Sequence, residues 1–367
     1  MDDVTNPVVE ASLRIMQDLC TPDVVNKAEE GVWPTRLWET LEESGLTLAW
    51  VPDHLGGAGA EVADGFGVLR VAGQFAAPVP MAETLLAGLL LTRAEIPSPP
   101  GPMSIAPVNG TDMITLDSAG RLQGKARDIP FARTAQHLAV LVQQGGASHV
   151  ALVAVADCRI SPGTSLAGEP RDLVEFDGVK PLQLAPAGTL DSQGVVALGA
   201  AVRAMQMAGA LERILNQSLE YAQDRVQFGR PISKFQVIQH NLAELAAEVA
   251  AASATADAAA EAVASKPALD EDAIVEVAVA KLRVGEAASI GSAFAHQVHG
   301  AMGFTYEHSL HHATRRLWAW RDEFGNESHW AILLGSVAAK HRAEGLWSFV
   351  TGTTQANSQM NTNGDIS

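Results

Sequence analysis

The sequence predicts a mainly helical α+β protein: a helical N-terminal domain over residues 1–99, a small central β-barrel or sandwich domain over 100–190, and a C-terminal four-helix bundle over 191–354, with a disordered tail at 355–367. Apolar residues recur at three- and four-residue intervals through residues 6–96. At Pro97–Pro102 (PSPPGP) the composition changes, and short β-type runs alternate with Gly- and Pro-rich turns as far as about residue 190. From Leu190 to about Thr351 the helical period returns.

In the N-terminal part the spacing of Leu13, Met16 and Leu19, then of Leu37, Trp38 and Leu41, and of Val68, Val71, Ala72 and Phe75 marks successive helices. Turn signals at Thr21-Pro22-Asp23 and at Asp53–Gly59 separate them. Gly56, Gly57 and Gly59 follow no strand of a βαβ unit, so they are read as turn glycines rather than a phosphate cradle. In the middle part the runs Met103–Val108, Met113–Leu116, Leu138–Val142, His149–Val155 and Leu173–Phe176 suggest an antiparallel barrel or sandwich. In the last part Val202, Met205, Ala208, Leu211, Leu215 and Leu219 define a helix over 195–224. A second starts near Ser233, read as its N-cap, and continues into an alanine-rich stretch at Leu242–Ala264. After Lys266-Pro267 a third runs from Glu271 to about His296, and long helices of this kind pack as a bundle.

Hydrophobic residues make up 47% of the chain, ample for a buried core, and 42 acidic against 25 basic residues give a formal charge of −17. That charge argues against a nucleic-acid backbone or an anionic membrane as partner, so an anionic ligand needs a local basic pocket. Cys20 and Cys158 lie far apart without metal-ligand spacing, which indicates neither a disulfide framework nor a zinc site. No signal-peptide layout is read in MDDVTNPVVE, and no apolar run is read as long enough to span a bilayer, so a cytoplasmic setting is expected.

The most informative stretch is Arg225–Gln236, RVQFGRPISKFQ, at the corner between two long helices. An arginine offers a planar fork for a phosphate, and a phenylalanine offers a face on which a base can stack; Gln227 and Gln236 add amide side chains. The plainer alternative is a packing corner with Phe228 in the core and Arg225 paired to Asp224 or Glu220. The pattern Arg-x-x-Phe-Gly-x-x-Ile-x-x-Phe-Gln resembles the signature corner of the acyl-CoA dehydrogenase family. His296–Arg316 (HQVHGAMGFTYEHSLHHATRR) is similar to that family's Gln-x-x-Gly-Gly-x-Gly-Phe segment, and Leu37–Gly59 is similar to its N-terminal helix and Gly-rich loop.

The resemblance implies an FAD-dependent enzyme that removes hydrogens from the α and β carbons of an acyl-CoA thioester, in fatty-acid, sterol side-chain or related catabolism. It implies FAD contacts from Arg225, Gln227, Phe228, Gln236, Gln297, Gly300, Ala301 and Asn326, with Ala301 standing where the family has the second glycine of a pair. It also implies an electron-transfer flavoprotein as acceptor and a homodimer or homotetramer, with an α2β2 assembly containing a second family member as the alternative. The family's Thr-Glu-x-x-x-Gly-Ser-Asp loop, which meets the flavin ring, is not found, and the β-domain looks shortened.

The family's base is a glutamate at one of two places. Counting from Gln297, the first place holds Phe324; the second, on the helix before the corner, falls near Gly199. Neither residue can take a proton. Glu323 is the nearest substitute, with Asp322 and Glu327 behind it, and the alternative for all three is ion pairing with Arg315, Arg316 or Arg321. Two other readings therefore stand beside the dehydrogenase: a non-catalytic partner subunit that completes another chain's flavin site, and a flavin monooxygenase on the same fold, which needs no α-proton base. His308 and His312, four apart, have metal-ligand spacing but no zincin pattern around them, and are read as surface or channel imidazoles. Trp318, Trp320 and Trp330 shape an acyl pocket or simply pack.

Overall fold

In a computed structural model of the chain, residues 6–266 and 268–350 are described. The tail expected at 355–367 lies outside the described residues, as does Pro267 of the expected linker.

Five helices come first: α1 (Pro7–Leu19), α2 (Pro22–Glu29), α3 (Thr35–Glu43), α4 (Val62–Gln74) and α5 (Met81–Arg93). Asn6 caps α1 by accepting from the Val8 amide at 2.9 Å, and Thr21 caps α2 through Val24, which leaves Pro22 at the first helical position where its missing N–H costs nothing. α5 is buried on nearly every face and leads straight into the sheet, its Thr84 hydroxyl bonding to the Met103 backbone at 3.1 and 3.2 Å. The glycine loop is architectural. Gly56 and Gly59 have φ of 95° and 63°, and a side chain at Gly57 would overlap the Val51 backbone.

The middle of the chain forms one eight-stranded sheet: β1 (Met103–Ala106), β2 (Ile114–Leu116), β3 (Leu122–Pro130), β4 (His137–Gln144), β5 (Ala147–Ala154), β6 (Arg159–Ser161), β7 (Arg171–Val179) and β8 (Gln183–Pro186). The order is β6-β7-β3-β2-β4-β5-β8, with β1 also on β4. An all-antiparallel arrangement is corrected by this topology. β1 and β2 run parallel to β4, because the chain enters from α5 alongside β4 rather than through a hairpin. The β4–β5 hairpin, from His137↔Ala154 to Gln144↔Ala147, keeps Leu138–Val142 and Val150–Val153 buried at its centre.

The chain then returns to helix with α6 (Ser192–Asp224), α7 (Gln236–Ser265), α8 (Glu271–His299), α9 (Leu310–Trp320), α10 (Glu327–Lys340) and α11 (Arg342–Val350). Asp191 and Asp270 cap α6 and α8 through the amides of Gly194 at 2.8 Å and Ala273 at 2.9 Å. Ser233 is not the cap of α7. It sits in a single 3-10 turn, Ile232–Lys234, and α7 starts at Gln236 without a side-chain cap. α6 is the central rod, packed against α4, α7, α8 and α9. Its apolar stretch is long enough to cross a membrane by length and composition, which the sequence reading missed, and it is wholly buried inside the protein. At Gly73 and Gly209 a side chain would overlap the Gln206 and Arg70 backbones, so these glycines let α4 lie directly on α6. Glu212 ties three helices together, accepting from Gln74 at 2.7 Å and from Ser253 at 3.1 Å.

Candidate active site

A cleft of about 370 Å³ opens between the sheet and the bundle. Val108, Pro130, Leu166 and Trp318 give it apolar walls, and the turn between α9 and α10, Asp322–Gly325, forms its floor with Arg171. Thr164 and Ser165 stand on the sheet side. The adjoining Gly163 is held by Asp172, fully buried, which accepts from the Arg133 amide at 2.8 Å and the Gly163 amide at 3.1 Å.

Beneath the floor lies a chain of alternating charges that links all three parts of the molecule. Glu83 of α5 pairs with Arg203 of α6, whose Nε donates to Glu323 at 2.8 Å. The other Glu323 oxygen accepts from Arg171 Nε at 2.8 Å and is 2.6 Å from its Nη2. Arg171 also reaches Glu169 at 2.9 Å, and Glu169 accepts from Arg316 and from the Trp320 indole, each at 3.0 Å. Glu29 of α2, 2.7 Å from Arg315 and 3.5 Å from Arg316, closes the series. Ions this deep are tolerable only when paired and hydrogen-bonded, and here each carboxylate faces at least one guanidinium. Burial works against the Glu169 charge, but Arg316, Arg171 and Arg203 hold its carboxyl below the usual range.

Glu323, the candidate base by its position in the chain, is thus engaged at both oxygens. Its partners are Arg171 and Arg203, not the Arg315, Arg316 or Arg321 expected, because those three turn to Glu29, Glu169 and Glu327. Glu327 pairs with Arg321 at 3.0 Å as foreseen, and Asp322 is exposed at the cleft rim. Phe324 is buried with φ of 54°, and its ring lies against Gly199, where any side chain would overlap it. The two positions from which a base is missing therefore face each other.

The turn is held from behind. Lys281 of α8, only 1% exposed, donates to the Arg321 carbonyl at 2.5 Å and to the Gly325 carbonyl at 2.8 Å, and the Trp330 indole donates to the Phe324 carbonyl at 3.1 Å. Burial pulls the Lys281 ammonium down to about 8.

The Arg225–Gln236 corner is built quite differently. A short ribbon pairs Gln227 with Arg230, and Phe228 at its tip has φ of 52° and is 94% exposed. That exposure overturns the packing-corner alternative, in which Phe228 enters the core. Arg225 is exposed too, and among the described residues only its backbone is engaged, to Tyr221 and Ile232. Arg230 lies over the Phe235 ring at 4.3 Å and stiffens the corner. Gln236, Gln297, Gly300, Ala301 and Asn326 are exposed as well; Asn326 caps α10 by accepting from the His329 amide at 3.1 Å. The structure brings Glu323 and Phe324 together in the cleft, while the corner residues face outward. A stacking ring and a cationic fork presented to solvent suit a phosphate-bearing aromatic group approached from outside the chain.

The histidines pack rather than gather a ligand set. His312 bonds to Asn26 at 2.7 Å with burial holding it near 3, and His308 accepts from the Leu310 amide ahead of α9. Trp318 borders the cleft, whereas Trp320 and Trp330 are buried donors.

Sequence reading missed Arg171, Arg203, Glu83, Glu169 and Lys281. For two of them a signal was present: Glu83 and Arg203 are isolated charges inside otherwise apolar helical stretches, where a charge survives only with a partner.

Residues 188–327 match the profile described as the acyl-CoA dehydrogenase C-terminal domain. The chain is 32% identical over 281 residues to acyl-CoA dehydrogenase IpdE2 of Mycobacterium tuberculosis, covering 75% of this chain and 78% of that protein. It is 28% identical over 327 residues to acyl-CoA dehydrogenase FadE27 of the same organism, covering 81% and 87%. Among solved structures the ChsE4–ChsE5 complex from Mycobacterium tuberculosis has a chain that superposes with a TM-score of 0.82 at 23% identity, over 93% of this chain and 99% of that one. Glutaryl-coenzyme A dehydrogenase in its glutaryl-CoA complex gives 0.78 at 19% identity, over 93% and 97%. By sequence likeness over most of its length and by fold, this chain belongs to the acyl-CoA dehydrogenase family of oxidoreductases.

Proposed function

We propose that the chain serves FAD-dependent α,β-dehydrogenation of an acyl-CoA thioester as one half of a heteromeric enzyme, its partner being a second family member that carries the carboxylate base. The observation behind this reading is the cleft floor: Phe324 packs on Gly199, and Glu323 is committed to Arg171 and Arg203. A general base must accept a proton in reach of the substrate carbon, and both Glu323 oxygens are already turned to guanidinium donors instead. A neighbour solved as the ChsE4–ChsE5 complex supports the assembly, and a neighbour solved with FAD and proline, PigA, supports the cofactor.

In this reading Arg225 neutralises a phosphate and Phe228 stacks on an aromatic ring, with Gln227, Gln236, Gln297, Gly300, Ala301 and Asn326 as polar or backbone contacts. When bound, the flavin supplies the acceptor for the hydride from the β-carbon. Trp318, Pro130 and Val108 give the cleft its apolar lining, and an electron-transfer flavoprotein takes the electrons onward.

The test is to purify the chain alone and together with a family member that retains its glutamate, then add a panel of acyl-CoA thioesters anaerobically. The complex should bleach its flavin and the single chain should not. Full bleaching by the chain alone would overturn the half-enzyme reading.

A further inference from the structure

The turn Arg321–Asn326 takes a conformation that its own residues disfavour. Phe324 and Gly325 are consecutive left-handed residues with φ of 54° and 90°, and a bulky residue rarely adopts that region. Gly325 has no substitute here, since a side chain would come within 2.7 Å of His329 and 2.8 Å of Trp330. Such a turn persists only where its surroundings over-determine it. The Arg321, Phe324 and Gly325 carbonyls are turned to the buried Lys281 and Trp330 side chains, and buried carbonyls need donors.

Lys281 supplies two of them. It reaches the Arg321 carbonyl at the start of the turn and the Gly325 carbonyl near its end, and so fixes the distance between the two. It makes no ion pair within 4.0 Å among the described residues; Glu323, Glu327 and Asp322 act on it from the turn and α10, and Arg203 from α6. An ammonium buried without a carboxylate partner costs stability, so a methionine of similar length would fill the space at less cost if packing were its only task.

We infer that Lys281 is a positioning residue: by gathering the Arg321 and Gly325 carbonyls it sets the turn that offers Glu323 to the two arginines and Phe324 to the cleft floor. The inference rests on the reading of this cleft as the ligand-binding cleft, but its test needs no ligand. Hydrogen exchange of the turn amides is compared with that of the β4–β5 hairpin in the full chain and in Lys281→Met. The variant should keep its β4–β5 protection, while the amides of residues 322–325 exchange about tenfold faster or more, because the buried Arg321 carbonyl has lost its donor and the Gly325 carbonyl keeps only the Trp330 indole at 3.2 Å. Lys281→Gln, with one amide group able to reach one carbonyl, should fall between the two; if the methionine variant does not fold, the glutamine variant decides. Exchange at the turn unchanged from wild type, or accelerated equally in the turn and the hairpin, would overturn the assignment.

Discussion

The Phe324 ring rests on the α-carbon of Gly199, so the two places where the family's proton-abstracting glutamate is expected touch one another and neither holds an acid. Each residue explains the other. Phe324 can occupy the floor because Gly199 has no side chain, and Gly199 is tolerated inside a long helix because a large ring covers it. Gly199→Ala should therefore destabilise the protein by about 1–3 kcal/mol through overpacking, although alanine is the better helix former. Urea unfolding measures it, and a gain in stability would show that the ring is free to move.

Glu323→Gln separates a base from a structural anion. The variant leaves Arg171 and Arg203 facing one carboxylate fewer in a nearly dry region, and breaking such a network costs on the order of 3 kcal/mol. Flavin bleaching by the assembled enzyme should survive at a temperature where the variant is folded. Loss of bleaching with unchanged thermal stability would restore Glu323 as a proton acceptor.

The helices were legible from the sequence because their apolar spacing is dense: α6 and α8 begin and end within a few residues of the stretches read for them. Parts of the sheet were not. β3 carries Gly124, Lys125, Arg127 and Asp128 in a strand with several exposed positions, so it reads as a polar loop until β7 pairs with it. The site divides in the same way. Arg225 and Phe228 stand in one short stretch and could be found together, and their exposure fits the role proposed for them. The charge chain draws Glu83, Arg203, Glu169 and Glu323 from four distant segments, and only the packing of α5, α6 and β7 around the turn tells which acid meets which arginine.

Lys281 gives a pH dependence with a definite sign. Its ammonium titrates at about 8 in the folded protein against the ordinary 10.5, so between these values the unfolded chain holds the extra proton. Stability from this group rises with pH across that window and is lost as pH falls through 8, an effect on the order of 3 kcal/mol. Comparing urea unfolding of the wild type with that of Lys281→Met at about pH 8 and about pH 10 cancels the other titrating groups. The wild type should gain relative to the variant; equal changes in the two would mean that Lys281 titrates where an exposed lysine does.

Arg225→Ala tests the proposed cofactor corner. The side chain is exposed and its removal leaves the fold undisturbed, so any effect reports on what it contacts outside the chain. A charge-assisted contact of about 1.5–3 kcal/mol corresponds to about tenfold weaker flavin retention or more. Dialysis of the assembled enzyme followed by absorbance reads this directly, and undiminished retention removes Arg225 from the site.

The same exposure bears on assembly. Phe228 at 94% and Val226 at 54% project from the tip of the corner, and Phe304 at 71% and Tyr306 at 77% lie just beyond the Gln297–Ala301 segment. Apolar groups so open to water are costly unless a surface covers them. Both sets stand in or beside the segments assigned to the flavin, so one neighbouring chain approaching there would bury them and complete the site together. Light scattering should find the chain self-associated as a homodimer or dimer of dimers when purified alone, and exchanging into an α2β2 assembly when the second family member is added. Phe228→Ser should weaken both the association and flavin retention. A monodisperse monomer that holds stoichiometric flavin would sink the shared-site argument, and with it the half-enzyme reading.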